Sequence, residues 1–298
     1  MESTNQPGGE PFHVAPYFDV LLQRLNGGDR RAEVAFGRHV HWGYWPDADR
    51  ADGSPEDYAG AAERLCRKVC DAAGIRDGMR VLDVGCGLGG TIASLNERFN
   101  HLDMVGVNID PRQLRRAAKT VRAGNHNRIR FQEADACDLP FDDSSFDAVL
   151  AVECAFHFPS RAAFLLGSAR VLVSGGRLAL SDFVPPVDAL PTLKLFNPGQ
   201  DEATRLSYGA VNLMCPVGEY RLLAGAAGLT LLGAENITAN TMPTYDFLRA
   251  DQRLWPDRTT ARMHERATSR LELACRENLL NYTILSFGRI NANTSVAA

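Results

Sequence analysis

No stretch of this chain reaches eighteen consecutive apolar residues, and its opening Met1-Glu-Ser-Thr-Asn-Gln-Pro-Gly-Gly has neither a basic start nor an apolar segment. A membrane-spanning helix and a secretory leader are therefore not expected, and the reading places the protein in the cytoplasm, away from membranes. A basic excess is missing too: 32 Lys and Arg against 36 Asp and Glu give a formal charge of −4. Polyanions are held by clustered cations, so nucleic acid is not expected as a partner and a small molecule is. The seven cysteines, at 66, 70, 86, 137, 154, 215 and 275, include no C-x-x-C pair. That argues against a disulfide framework and against a metal cluster. Cys66 and Cys70, four apart on an expected helix, make an incomplete two-thiol set and read as buried thiols; no metal is expected. A homodimer is left open.

What remains is an ordinary globular composition, 45% hydrophobic and 23% charged over 298 residues, enough for one large core with insertions. Residues 1–14, polar and rich in Gly and Pro, read as a disordered tail. Residues 15–75 read as a helical cap and lid. Phe18, Leu21, Leu22 and Leu25 recur at helical spacing, and Ser54-Pro55-Glu56-Asp57 is a helix start with a hydroxyl cap, Pro in the first turn and acids behind it. Residues 76–183 alternate strand and helix, with strands at 80–84, 103–108, 128–133, 146–152 and 176–182 and helices at 91–99, 111–123 and 160–172. Such alternation implies a parallel, doubly wound sheet. Leu229 to Ile237 and Leu280 to Ile290 are further strand candidates, separated by a helical stretch at roughly 245–278. The long connection at 184–227 reads as an acceptor-binding insertion, because long insertions are usually lids or binding loops. Residues 228–298 complete the core with a helical cap.

Arg80-Val-Leu-Asp83-Val-Gly85-Cys-Gly87-Leu-Gly89-Gly90 is the most telling segment: an apolar strand ends in a carboxylate and a glycine cluster before a helix. Glycine permits a sharp turn and close backbone approach, and a helix start leaves N–H groups facing a ligand. Gly85, Gly87 and Gly90 also fit the dinucleotide fingerprint. Asp83 separates the two readings, since a carboxylate beside a pyrophosphate is repelled whereas a cationic ligand is favoured.

The strand–Asp-x-Gly-x-Gly–helix pattern resembles the first motif of the class I S-adenosylmethionine-dependent methyltransferases. The resemblance implies an α/β, Rossmann-like methyltransferase fold: a doubly wound, mostly parallel sheet with a reversed final strand and a helical cap. It also implies S-adenosylmethionine as cofactor, with Asp83, Gly85 and Gly87 in the cradle. In Gly106-Val-Asn108-Ile-Asp110-Pro-Arg-Gln113, most members carry an acid where Asn108 stands. The chain is similar instead to a subgroup with a neutral residue there, so Asn108 and Gln113 become the ribose candidates, while Asp110 is as well explained as a helix cap. Asp135 and Ala136 match the adenine site.

The segment Ala151-Val-Glu153-Cys-Ala-Phe156-His157-Phe158 follows the fourth strand and, in this fold, runs along the floor between donor and acceptor. Several similar O-methyltransferases carry two adjacent histidines where this chain has Phe156-His157. Glu153, His157 and Asp182 are the three ionisable candidates for catalysis, and Glu153 is also a cofactor candidate. His39-Val-His41-Trp42-Gly43-Tyr44-Trp45 resembles the His-x-Gly-Tyr-Trp element of tocopherol, sarcosine and antibiotic-glycoside methyltransferases, which belongs to a lid. Tyr17, His41, Trp42, Tyr44 and Phe156 are accordingly expected around donor or acceptor.

These features imply methyl transfer to a small aromatic or heteroaromatic secondary metabolite. The missing second histidine tilts the reading toward a nucleophilic carbon or nitrogen, which needs no alkoxide. The alternatives are an O-methyltransferase of a sugar or phenol with His157 as base, a dinucleotide-dependent reductase, and a catalytically inactive S-adenosylmethionine-binding relative.

Overall fold

The computed structural model describes residues 16–196, 199, 201–250 and 257–290; the tail expected at 1–14 lies outside the described residues. The chain begins with α1 (Tyr17–Asn26), α2 (Arg30–Phe36), α3 (Pro55–Ala73), β1 (Arg80–Val84), α4 (Gly90–Arg98), β2 (Asp103–Asn108), α5 (Pro111–Thr120), β3 (Arg128–Glu133) and β4 (Phe146–Val152). It continues with α6 (Arg161–Val171), β5 (Leu172–Val184), α7 (Leu190–Phe196), α8 (Glu202–Tyr208), α9 (Val217–Ala226), β6 (Leu229–Asn236), α10 (Thr238–Thr241), α11 (Pro243–Ala250), α12 (Arg258–Arg276) and β7 (Asn281–Arg289).

The seven strands form one sheet in the order β3-β2-β1-β4-β5-β7-β6. β1 to β5 pair in parallel, and β7 runs antiparallel to both β5 and β6, which is the reversed final strand. β1 and β4 are buried on both faces, so they read as continuous apolar runs, and successive residues serve opposite cores. Val81, Ala148 and Leu150 pack with α3, α4 and the cap above the sheet, while Leu82, Val84 and Val149 pack with Phe164 of α6 and Tyr220 of α9 below it.

Helix starts follow local chemistry. The Ser54 side chain accepts from the Asp57 N–H with Pro55 in the first turn, and Asp110 accepts from the Arg112 N–H, so its capping role is present. Two elements depart from the sequence reading. β5 starts at Leu172, not near 176, because Leu172 pairs with Phe146 before a register shift. Among the described residues, the stretch read as helical over 245–278 contains two helices, and α12 has its own cap at Asp257, whose side chain accepts from the Thr259 and Thr260 N–H groups. Within 184–227, α9 packs on β6 and α6 as part of the layer flanking the sheet, whereas α8 packs on α12 in the cap.

The order reverses between β1 and β4: β2 and β3 extend the sheet one way, and the chain then returns to lay β4 on the other side of β1. Ligands of open α/β sheets sit outside the carboxyl ends of the strands at such a switch point. Leu82 is fully buried in the lower core. Leu82→Ala should cost about 2–5 kcal/mol of unfolding free energy, read from the shift of the urea midpoint at unchanged slope.

Candidate functional site

Two cavities open over the carboxyl ends of β1, β2, β3 and β4. The first, with about 1510 Å3 of space that includes open solvent, is lined by Gly85, Gly87, Asn108, Gln113, Asp135 and Ala136, and by Arg38, His39 and His41 from the segment after α2. The second, about 830 Å3 and likewise continuous with solvent, lies under the cap between Phe36, Trp42, Tyr58, Phe156, Phe183, Tyr208, Leu213 and Leu271. Five residues line both: Tyr17, Val40, His41, Glu153 and His157. The wall they share is where something bound in one cavity meets something bound in the other.

The first cavity is built by backbone. Gly85 has φ +70°, and a Cβ there would lie 2.8 Å from the Cys154 side chain, so only glycine lets β1 turn beneath the loop after β4. Asn108 Nδ2 donates to Gln113 Oε1 at 3.2 Å, and Gln113 Nε2 donates to Asp110 Oδ2 at 3.3 Å, holding two amides on the cavity wall. Asp135 Oδ1 accepts from the Cys137 N–H at 2.8 Å, which fixes this carboxylate at the wall.

Asp83 is placed differently from the sequence expectation. It is 1% exposed, lies beneath the glycine loop and outside the cavity wall, and its Oδ2 has no hydrogen-bond partner among the described residues. Burial pushes its carboxyl up to about 8 against hydrogen bonding by Thr91. Burial thus favours its neutral form, and a cation nearby would favour the charged one. A buried carboxyl with one oxygen unsatisfied does suit a positively charged ligand above it.

Glu153 is the meeting point of lid and sheet. Its backbone has φ +51°, a left-handed conformation that non-glycine residues rarely adopt, and its N–H donates to Ser181 Oγ at 3.0 Å. Its Oε2 accepts from the Trp42 N–H at 2.8 Å and from the Tyr282 hydroxyl. Burial pushes the carboxyl up to about 8, opposed by those two hydrogen bonds. His157 Nδ1 lies 3.2 Å from the Ala210 carbonyl; a carbonyl only accepts, so Nδ1 bears the proton and Nε2 keeps its lone pair. Burial pushes His157 down to about 4, which keeps the ring neutral at pH 7.

The lid segment is tied on several sides. His41 Nδ1 donates to the Trp42 carbonyl at 2.9 Å, its Nε2 meets His39 Nδ1 at 3.2 Å, and His39 Nε2 meets Glu63 Oε2 at 2.8 Å. Glu63 also accepts from Ser94 at 2.6 Å, Arg67 at 2.7 Å and Arg38 at 3.1 Å. Burial pushes Glu63 up but is outweighed by the hydrogen bonds from His39, Ser94 and Arg67, so its carboxyl lies well below the usual range. A Cβ on Gly43 would lie 2.5 Å from the Trp45 ring, which is why the turn between the two tryptophans is glycine.

The structure brings together Tyr17, His41, Trp42, Glu153, Phe156 and His157 on the cavity walls, and leaves Tyr44 and Asp182, like Asp83, off them. Tyr44 lies on neither wall; its ring packs under the Lys68 ammonium at 4.9 Å and its N–H donates to the Ala61 carbonyl. Asp182 is fully buried and lines neither cavity, accepting from Arg161 and Tyr220. Sequence reasoning did not single out Glu63, Tyr282, Ala210 or Phe183, which reach the site from distant elements and belong to no local motif. Among the described residues no group of three or more metal-ligating side chains occurs, and no helix is long and apolar enough to cross a membrane. All seven cysteines are free thiols.

Residues 82–180 match the family described as a methyltransferase domain. The chain is 36% identical over 237 residues to methyltransferase GfsG of Streptomyces halstedii, covering 78% of this chain and 77% of that protein. It is 30% identical over 236 residues to the 27-O-demethylrifamycin SV methyltransferase of Amycolatopsis mediterranei, covering 79% and 80%. Among solved structures, mycolic acid cyclopropane synthase superposes with a TM-score of 0.73 at 16% identity, over 92% of this chain and 99% of that one, a likeness of fold.

Two outcomes follow from this geometry. Gly85→Ala should weaken S-adenosylhomocysteine binding at least about tenfold by calorimetry, because a side chain at φ +70° must displace the loop after β4. Glu63→Gln, which leaves Arg38, His39 and Arg67 without their shared anion, should weaken the same binding and raise proteolytic cleavage within residues 38–45.

Proposed function

Since this chain belongs to the class I S-adenosylmethionine-dependent methyltransferases, in the branch that modifies natural products, we propose that it methylates a hydroxyl oxygen of a bulky, largely apolar secondary metabolite, with His157 accepting the proton. S-adenosylmethionine is the cofactor of this enzyme and, when bound, supplies a methyl group on an electrophilic sulfonium. Gly85 and Gly87 would hold its methionine end, Asn108 and Gln113 its ribose, and Asp135 with the Ala136 backbone its adenine, while Asp83 lies beneath to answer positive charge.

The observation that carries the reading is His157: a neutral imidazole, in the wall common to both cavities, with Nδ1–H engaged by Ala210 and Nε2 left as acceptor. As the acceptor's oxygen becomes a nucleophile its proton passes to Nε2, and the imidazolium formed keeps its bond to the carbonyl. The second cavity supports a bulky apolar acceptor, since its wall is mostly aromatic and aliphatic: Phe36, Trp42, Tyr58, Phe156, Phe183 and Leu213. The rifamycin relative is named for a reaction at oxygen. Transfer to carbon or nitrogen, which the lack of paired histidines favours, would leave His157 without a chemical task. It would also leave Glu153, held by Trp42 and Tyr282, as the group facing the acceptor.

Turnover with a hydroxylated acceptor should fall about 10²–10⁴-fold in His157→Ala, with S-adenosylhomocysteine affinity within a few-fold of the parent. The pH profile tells the two candidates apart. His157 is lowered to about 4, so its neutral form prevails above that and turnover should be flat across neutrality, failing only in acid. Glu153 is raised to about 8, so a limb near 8 with His157→Ala still active would assign the proton to Glu153 and overturn this reading.

A further inference from the structure

Asp182 ends up where no acceptor can reach it, yet it is tied to the site by a short chain of hydrogen bonds. It is 0% exposed and its partner Arg161 is 6% exposed. Asp182 Oδ2 accepts from Arg161 Nε at 3.1 Å, from Arg161 Nη2 at 2.8 Å and from the Tyr220 hydroxyl, while Oδ1 accepts from the Phe183 N–H at 2.8 Å. Burying an ion pair costs desolvation of both charges, so such a pair is weak evidence for stability alone.

Arg161 Nε also donates to the Tyr220 hydroxyl oxygen at 2.8 Å, and a further acceptor of Arg161 lies in the loop between α8 and α9. Arg161 Nη2 donates to the Asn212 carbonyl at 2.7 Å, and the Asn212 N–H donates to the Phe156 carbonyl at 2.8 Å. Residue 212 is thus pinned at both backbone groups, by the ion pair and by the floor segment. The loop over 210–216 has no helix or strand of its own. Its residues form walls on both sides: Ala210 lines the cofactor cavity, and Val211 and Leu213 line the acceptor cavity. Two residues before the pinned position, the Ala210 carbonyl accepts a hydrogen bond from His157 Nδ1 at 3.2 Å.

We infer that the Arg161–Asp182–Tyr220 cluster is a positioning unit: by holding Asn212 it keeps the Ala210 carbonyl against His157 and so selects the tautomer with an open Nε2. This rests on the reading of His157 as proton acceptor. The tautomer of a histidine is set by the bond its other nitrogen makes, and a ring protonated at Nε2 has no lone pair there to receive a proton. Loosening the loop therefore costs turnover although none of the three residues touches a reactant. Arg161 of α6 acts electrostatically on His157, and Glu153, Tyr17 of α1 and His41 of the lid segment stand with it in the wall common to both cavities.

The test uses Arg161→Lys, which keeps the charge and loses the planar fork, and Tyr220→Phe, which removes one hydroxyl. The full-length enzyme is labelled with 15N-histidine, and the His157→Ala spectrum identifies the His157 signals. In the parent, His157 should show a protonated Nδ1 and an unprotonated Nε2. In both variants the signals should move toward the Nε2-protonated form, with kcat down about tenfold or more in Arg161→Lys and the acceptor KM changed less. An Arg161→Lys enzyme that melts like the parent and keeps the parent tautomer, or one with parent turnover, overturns the inference. Should Arg161→Lys fail to fold, Tyr220→Phe carries the same comparison. Full turnover in His157→Ala would instead refute the proton-acceptor reading, while a tautomer shift in the variants would still uphold the mechanical coupling.

Discussion

Glu153 is held in a backbone conformation that side-chain-bearing residues avoid, and it stays there because three parts of the chain converge on it. Its N–H goes to Ser181 of β5, and its carboxylate takes the Trp42 N–H of the lid and the Tyr282 hydroxyl of β7. A left-handed residue costs on the order of 1–3 kcal/mol and persists only where its surroundings over-determine it. The turn it makes carries the chain from the end of β4 into a short floor segment, with Phe156 toward one cavity and His157 on the wall of both. That turn sets Glu153 and His157 into the wall the two cavities share, beside Tyr17, Val40 and His41.

Around that point the charged groups act more as positioners than as reagents. Asp83 is pushed toward its neutral form beneath the glycine loop, Asp182 is paired with Arg161, and Glu63 gathers donors from the lid, α3 and α4. Each is a buried or half-buried carboxyl whose oxygens define where something else lies: the start of α4, the loop over 210–213, or the segment containing His39 and His41. Methyl transfer from an activated sulfonium asks little of a protein beyond alignment and, for a hydroxyl, one proton acceptor. Fixed geometry is consistent with that demand.

The cap is joined to the core by surface pairs, Arg112 with Asp19 at 2.7 Å and Arg116 with Glu33 at 2.6 Å, and by the aromatic cluster in which Trp42 meets Phe183, Tyr208 and Tyr245 edge-on or tilted. Exposed ion pairs contribute little each, so the apolar contacts and the half-buried hub at Glu63 set how firmly α1 and the lid segment stay down. Tyr17, on the helix carried by those pairs, lines both cavities, so movement of α1 would open both at once.

Features that depend on neighbours within a few residues are legible in the order of residues along the chain. The strands at 80–84, 103–108, 128–133 and 146–152 coincide with those observed, because runs buried on both faces or bounded by turns leave a local pattern. The caps at Ser54 and Asp110 and the glycine at 85 were readable for the same reason, as were the polar residues just past each strand end that now line one cavity. Tertiary structure alone decided the rest. Nothing near residue 182 tells that Arg161 and Tyr220 close over it, nothing near 44 tells which side of the lid faces inward, and His157 owes its tautomer to a carbonyl 53 residues away. Such roles are set by distance in space and by burial, and burial moves a carboxyl or an imidazole by several pKa units, a quantity the order of residues along the chain does not contain.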